Sequence, residues 1–373
     1  MQYFYNFLYS PAGIFYVVIF IGILLFIYNE KNKKLDGFLS LTIFLFSIFF
    51  LGLRDIDSGR DTESYLYVFE HLNIFSTYWD KTFVFFTYLS SLVGDKYFYI
   101  VLNVLIQLLF VYIGAHLLNI KSKSIVLLAY ISFMPGFDML TNGLRQGLSS
   151  SLIMIVFILA YIKNKIPKIS IFSALLMHKS VLYYLFYYFA EKLMKNKLTS
   201  RLFNILFVAI FSLIVLWHFI DYSSSLAELF SSILLPLNDS SFTVGGHLNK
   251  YLLNDSDNML VGAYKYYFTF LALFLMSIFY VYKKYTHCWM ENKGLLNFWF
   301  LTFFLTFFYA LLWKSPYSYR FMYSMFLAGI LVSTISIEIV NKRVYKLIYL
   351  LIVFISAVLV YGSNTFVNFK FIY

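Results

Sequence analysis

The sequence predicts an all-α fold: a polytopic integral membrane helical bundle of about 10–11 transmembrane helices, with short re-entrant or interfacial segments beside them. Three observations lead there. Of the 373 residues, 61% are hydrophobic and only 13% charged. The apolar runs approach the roughly 20 residues a helix needs to cross the hydrocarbon core, and are too long and continuous for barrel strands. The loops between them alternate between short and basic and long and acidic, as in a chain oriented by the positive-inside rule. Forty-five Phe and 34 Tyr supply lipid-facing bulk and interfacial belts.

In chain order, full spans fall at about 12–28, 37–53, 97–119, 125–140, 144–162, 202–220, 262–282, 294–313, 321–339 and 347–361, each an apolar run of spanning length. The first has no basic residue ahead of it and no clear cleavage signal, so it reads as a retained span. Residues 83–94 form a short apolar segment that dips from the outer side. Residues 169–190 are apolar but flanked by basic loops on both ends, with His178-Lys179 in the middle. Either this segment is a re-entrant hairpin, tolerated where protein or a wet cavity covers it, or it is a full span that violates the charge rule; the hairpin is favoured.

The basic loops hold Lys31/Lys33/Lys34, Lys121/Lys123, Lys163/Lys165/Lys168, Lys192/Lys195/Lys197/Arg201, Lys283/Lys284/Lys293 and Lys342/Arg343/Lys346, which is 18 of the 29 Lys and Arg. Placing them in the cytoplasm puts the acidic loops 54–96 and 221–261, and both termini, outside. The larger loop contains Gly245-Gly246 and an amphipathic stretch from Ser225 to Leu235, a candidate lid. Residues 1–373 read as a single transmembrane domain with those two outer loops. The net charge of +11 belongs to the loops of a membrane protein, with no nucleic acid as partner. Cys288 is the only cysteine, which excludes an intramolecular disulfide and a Cys-based metal site.

Charge in the wrong solvent marks candidate function. The densest run is Leu53-Arg54-Asp55-Ile56-Asp57-Ser58-Gly59-Arg60-Asp61-Thr62-Glu63-Ser64-Tyr65, directly after an apolar span. Arg145 opens another span at its outer end, where a guanidinium fork and free helix N–H groups suit a phosphate; the alternative is an ion pair with Asp138. His178 and Lys179 lie mid-segment, either as a proton acceptor with an anion holder or as a packed histidine beside a snorkelling lysine. Arg320 stands among tyrosines at an outer span end, as a sugar and phosphate contact or as an interfacial cation. The triplets Asp55-Ile-Asp57 and Asp255-Ser-Asp257 are too short a signal for a metal, the six histidines show no zinc spacing, and no metal is expected. There is no Gly-rich phosphate loop, so no nucleotide and no other cofactor is expected.

Together these residues resemble the EpsG-like branch of the Wzy-type polysaccharide polymerases. Gly52-Leu53-Arg54 followed by Gly59-x-Asp61-Thr62 and Tyr65 resembles that family's first outer-loop signature. Asn142-Gly-Leu-Arg145-Gln146 resembles its Asn-x-x-Arg-Gln motif, His178-x-Ser180 its His-x-Ser, and Arg320 with Tyr323 its late Arg-x-x-Tyr. Arg60 stands where the family often has a small residue, a departure that fits an anionic glycan, and Ser149-Ser150 replace a small apolar pair. The resemblance implies a bacterial cytoplasmic-membrane enzyme that joins undecaprenyl-pyrophosphate-linked oligosaccharide repeat units, donor and acceptor, on the outer face. The product would be a capsule, O-antigen or exopolysaccharide. His178 would be the catalytic base, with Asp61 as the other catalytic candidate. Arg54, Arg60, Arg145, Lys179, Arg320, Asn142, Gln146, Tyr65 and Tyr323 would bind the pyrophosphate and sugars of the substrate. A flippase and a chain-length regulator of the same pathway are the expected protein partners, and the bilayer the surrounding one. The alternatives are a lipid-linked oligosaccharide flippase or other transporter, whose cations should line a path open to both sides, and a membrane polysaccharide O-acyltransferase, which needs a cytoplasmic acyl-donor site.

Overall fold

The computed structural model describes residues 2–8, 10–28, 32–54, 62–72, 81–163, 319–340 and 343–362, with helical positions also at 205, 208–209, 212–213, 216, 265–266 and 268–273. Among the described residues the chain is helical, with no strand. The elements are α1 (Gln2–Leu8), α2 (Pro11–Tyr28), α3 (Lys33–Ser47) running into a π turn (Ile48–Gly52), α4 (Thr62–Glu70), α5 (Lys81–Val93), α6 (Lys96–Leu117), α7 (Lys123–Ser132), α8 (Met134–Thr141), α9 (Leu144–Lys163), α10 (Tyr319–Val340) and α11 (Arg343–Tyr361). Of these, Pro11–Tyr28, Lys33–Gly52, Lys96–Leu117 and Arg343–Tyr361 are long and apolar enough to cross a membrane. The outer faces of α2 and α11 expose Ile14, Val18, Ile21, Leu25, Val344, Ile348, Leu351 and Ile355, side chains that suit lipid. The chain is a multi-pass membrane protein.

Local chemistry sets the helix starts. Asn32 accepts from Leu35 N at 3.1 Å to open α3, and Asp95 accepts from Phe98 N at 2.9 Å to open α6. The short segment expected near 83–94 is α5. The segment 169–190, the span at 294–313, most of 202–220 and of 262–282, the loop 221–261 and residues 55–61 lie outside the described residues.

Residues 125–140, expected as one full span, are two helices, α7 and α8, bent by 76° at Phe133. Phe133 is extended (φ −84, ψ 144), and Pro135 follows at the start of α8. Proline has no N–H to continue the ladder and its ring disfavours helical geometry before it. The carbonyl that residue 135 would have bonded is that of Ile131, and Tyr361 donates its hydroxyl to it at 2.9 Å. Gly136 is required by close approach: a Cβ there would lie 1.8 Å from the Tyr130 carbonyl oxygen.

This broken pair is buried along nearly its whole length, at the centre of the largest hydrophobic cluster. Its free backbone groups are met by side chains from other helices. At the start of α7, Asp36 of α3 accepts from Lys123 N (3.3 Å), Ser124 N (3.1 Å) and Ser124 Oγ (2.6 Å). Just before it, Glu338 of α10 accepts from Lys121 N (3.0 Å) and Ser122 N (2.8 Å). Carboxylates thus cap the positive end of the pair, as its dipole favours. These bonds, with Arg343 5.3 Å from the Tyr28 ring, gather the described basic loops at one end of the bundle. The candidate residues Arg54, Asn142, Arg145, Gln146 and Tyr323 fall at the other end.

Candidate functional site

At that opposite end the last carbonyls of α8 need donors. Because Asn142 N and Gly143 N both donate to the Asp138 carbonyl (2.7 and 2.8 Å), the helix closes early and frees the carbonyls of Met139, Leu140 and Thr141. Gln107 of α6 donates Nε2 to Met139 O at 3.2 Å. Arg54 donates Nη1 to Leu140 O at 3.3 Å and Nη2 to Thr141 O at 2.5 Å. It also bonds Leu51 O and Thr62 Oγ1. A cation therefore caps the negative end of the broken pair and pins the π turn and α4 to it. Arg54 is completely buried. Removal from water pulls its pKa down to about 9, with Tyr65 acting in the other direction, so it remains a cation at neutral pH.

The same turn launches α9, whose first residues are Leu144, Arg145 and Gln146. Arg145 is half-buried, and its guanidinium lies 5.9 Å from the Phe83 ring, near enough to Tyr99 to interact electrostatically. Phe83 and Tyr99 belong to a second hydrophobic cluster with Tyr65, Leu66, Ile100, Leu144 and Leu148. Tyr65 is buried there, edge-on to Phe83 at 5.9 Å. The arginine thus emerges at a helix N-terminus against an aromatic wall, an arrangement that favours an anion attached to something with apolar or sugar surfaces.

α6 and α9 can meet closely because residue 147 is glycine: a Cβ there would fall 2.1 Å from Gln107 Oε1. That oxygen also accepts from Tyr130 at 3.1 Å. Arg54 Nε, Asn103 Oδ1, Asn142 Oδ1 and Ser150 Oγ are buried without a hydrogen-bond partner among the described residues. Three sit on α6, on α9 or in the turn between α8 and α9, and the fourth belongs to the arginine that caps this turn. Buried polar atoms are nearly always satisfied, so polar demand concentrates here.

Asp138, considered from sequence only as a rival partner for Arg145, is the hub of this end. Its carboxylate accepts Asn142 Nδ2 and the Tyr266 hydroxyl, each at 2.6 Å, and the Tyr323 hydroxyl. Tyr266 and Gln107 were likewise missed. A lone aspartate inside an apolar run was the available signal for Asp138; Tyr266 and Gln107 had none stronger than their polarity. Tyr323 and Gln146 are both buried, and Arg320 lies in the first turn of α10, three residues before Tyr323. The structure therefore brings Arg54, Tyr65, Asn142, Arg145, Gln146 and Tyr323 to one end of the bundle. His178, Lys179, Arg60 and Asp61 lie outside the described residues.

The model of the EpsG family matches residues 37–373, nearly the whole chain. No curated protein and no solved structure matches the chain.

Proposed function

The chain belongs to the EpsG family of Wzy-like polysaccharide polymerases, and on that premise we propose that it joins undecaprenyl-pyrophosphate-linked repeat units into a surface polysaccharide on the outer face of the bacterial cytoplasmic membrane. The observation that supports this most is Arg145 at the start of α9, in the Asn142-to-Gln146 motif, beside the aromatic cluster of Tyr65, Phe83 and Tyr99.

In the proposed reaction the acceptor sugar's hydroxyl oxygen attacks the donor's anomeric carbon, and the bond from that carbon to the pyrophosphate oxygen breaks. The hydroxyl proton passes to His178, with Asp61 as the other candidate. The lipid pyrophosphate leaves with the bonding electrons and the donor ester supplies the free energy, so no nucleotide is required, and in this reading arginines rather than a metal meet its charge. Arg145 stabilises the charge that develops on the leaving group, where a fixed donor fork is most effective. Arg320, Arg60 and Lys179 are assigned to the same anion, and Asn142 to the sugars. Arg54, Tyr65, Gln146 and Tyr323 are buried, so we assign them to the wall that holds these groups. A flippase supplies the substrate, and a chain-length regulator acts on the product.

Reconstitution with a lipid-linked repeat unit tests the reading. A ladder of polymer is the expected product. A translocated monomer would instead make the protein a flippase, and an acylated glycan an O-acyltransferase.

A further inference from the structure

We propose that Asp138 is a positioning residue: it holds the turn that carries Arg145 in fixed register with α10, the helix whose first turn carries Arg320. The proposal rests on the polymerase reading for what the register serves, but not for the register itself.

Asp138 grips the turn twice. Its carbonyl accepts from the backbone N–H groups of Asn142 and Gly143 at 2.7 and 2.8 Å, and its Oδ1 accepts from Asn142 Nδ2 at 2.6 Å. Its Oδ2 accepts the hydroxyls of Tyr266 and of Tyr323, the latter on α10. The side chain is 8% exposed, so these bonds form away from bulk water, where bonds to a charged acceptor are strongest. Tyr323 also touches the turn directly, since a Cβ at Gly143 would lie 3.4 Å from its Cε2. Arg320 precedes Tyr323 by three residues and Arg145 follows Asn142 by three. One carboxylate, accepting only, therefore ties together three segments, two of which bear Arg145 and Arg320, two of the arginines assigned to the leaving pyrophosphate. Asp138 would not touch substrate, because its oxygens already serve protein donors.

The substitution Asp138→Asn separates position from charge. Turning the Asn142 amide over lets its oxygen accept from the amide nitrogen that the substitution introduces, while both tyrosines still donate to the side-chain oxygen that remains. Geometry survives and charge does not. Asp138→Ala removes both.

The test compares hydrogen exchange at the amides of 142–147 with single-turnover polymerisation, in purified protein in nanodiscs. Asp138→Ala should speed that exchange by about tenfold or more, the expected effect of losing a bond to a charged group. The helix 123–132 should stay protected. Transfer should fall about a hundredfold, as a misplacement near 1 Å can cause. Asp138→Asn should keep near-normal exchange and transfer within about tenfold. Adding Tyr323→Phe to Asp138→Ala should cause little further loss, because the shared bond is already gone. If Asp138→Ala does not insert, Tyr266→Phe and Tyr323→Phe, each removing one hydroxyl, should each raise exchange at 142–147 measurably.

Unchanged exchange in Asp138→Ala, or in both tyrosine variants where it does not insert, overturns the proposal. So does an Asp138→Asn protein that keeps its exchange pattern yet loses transfer as fully as the alanine variant, because the charge would then act in the chemistry. Wild-type protein that makes no polymer defeats the polymerase reading instead, and the exchange comparison still decides Asp138.

Discussion

Two arginines from one set of family motifs do different physical work, and the difference is testable. Arg54 spends its guanidinium on the carbonyls of Leu51, Leu140 and Thr141, whereas Arg145 stands half-buried at the head of α9. A lysine keeps charge but loses the planar fork. We predict that Arg54→Lys lowers the amount of folded protein in the membrane, because one ammonium cannot cap both ends of the Leu140–Thr141 pair. The buried groups left unmatched cost about 1–3 kcal/mol each. Arg145→Lys should insert normally and polymerise poorly. Membrane abundance and single-turnover transfer, measured side by side, check both; an Arg145→Lys protein with full activity would show that charge alone suffices. For the proposed base, His178→Ala should leave a donor-binding protein with transfer reduced about a hundredfold to ten-thousandfold. Near-normal transfer would move the base role to Asp61 or Glu63, and lost donor binding would make His178 a pyrophosphate ligand. The motifs were readable because they are short and local. Asp138 was less readable, since its partners at 266 and 323 are brought to it only by the fold.

At the scale of elements, the broken pair α7–α8 is the part that organises the rest. It is a helix interrupted at a proline and then capped by residues from α3, α6, α10, α11 and the end of the π turn. Its junction with α9 depends on residue 147 having no side chain. Gly147→Ala would drive a methyl into Gln107 Oε1, whose group is already tied to Tyr130 and to Met139 O. The expected cost is about 1–3 kcal/mol as that link breaks, read as a lower melting midpoint in detergent. Gln107→Ala should remove most of the additional penalty, because the obstacle is gone. If Gly147→Ala costs the same in both backgrounds, the obstruction lies elsewhere. Periodicity and run length could not expose this element. Residues 125–140 are apolar enough to pass for a straight span, and Pro135 alone does not say where the helix turns.

At the scale of the molecule, the structure sorts the helix ends among the described residues into two groups, and the positive-inside rule assigns each a side. Lys34, Lys121 and Arg343 lie at one end, and Ser64 near the other. In a variant with Cys288 replaced, single cysteines at Lys34 and Lys121 should react with an impermeant thiol reagent only after the membrane is opened. A cysteine at Ser64 should react in intact cells. The opposite pattern would invert the orientation and place the proposed chemistry on the wrong face for an outer-leaflet polymerase. Cysteines at Ser170 and Ser200 should label from the same side if 169–190 is re-entrant.

The sequence by itself determined that this is a multi-pass helical membrane protein of the polymerase type, because lipid permits few backbone solutions and the family's charged motifs are contiguous in the chain. It also located the Asn142–Gln146 motif at the start of a span and a short apolar segment at 83–94, which is α5. Only the tertiary structure decided that Arg54 caps a helix, that 123–141 is bent, and that Asp138 links Asn142 to Tyr266 and Tyr323. Those outcomes depend on which carbonyls a broken helix leaves free and which distant side chains reach them. A hydrophobic pattern records burial, but it holds no information about partners more than a hundred residues away.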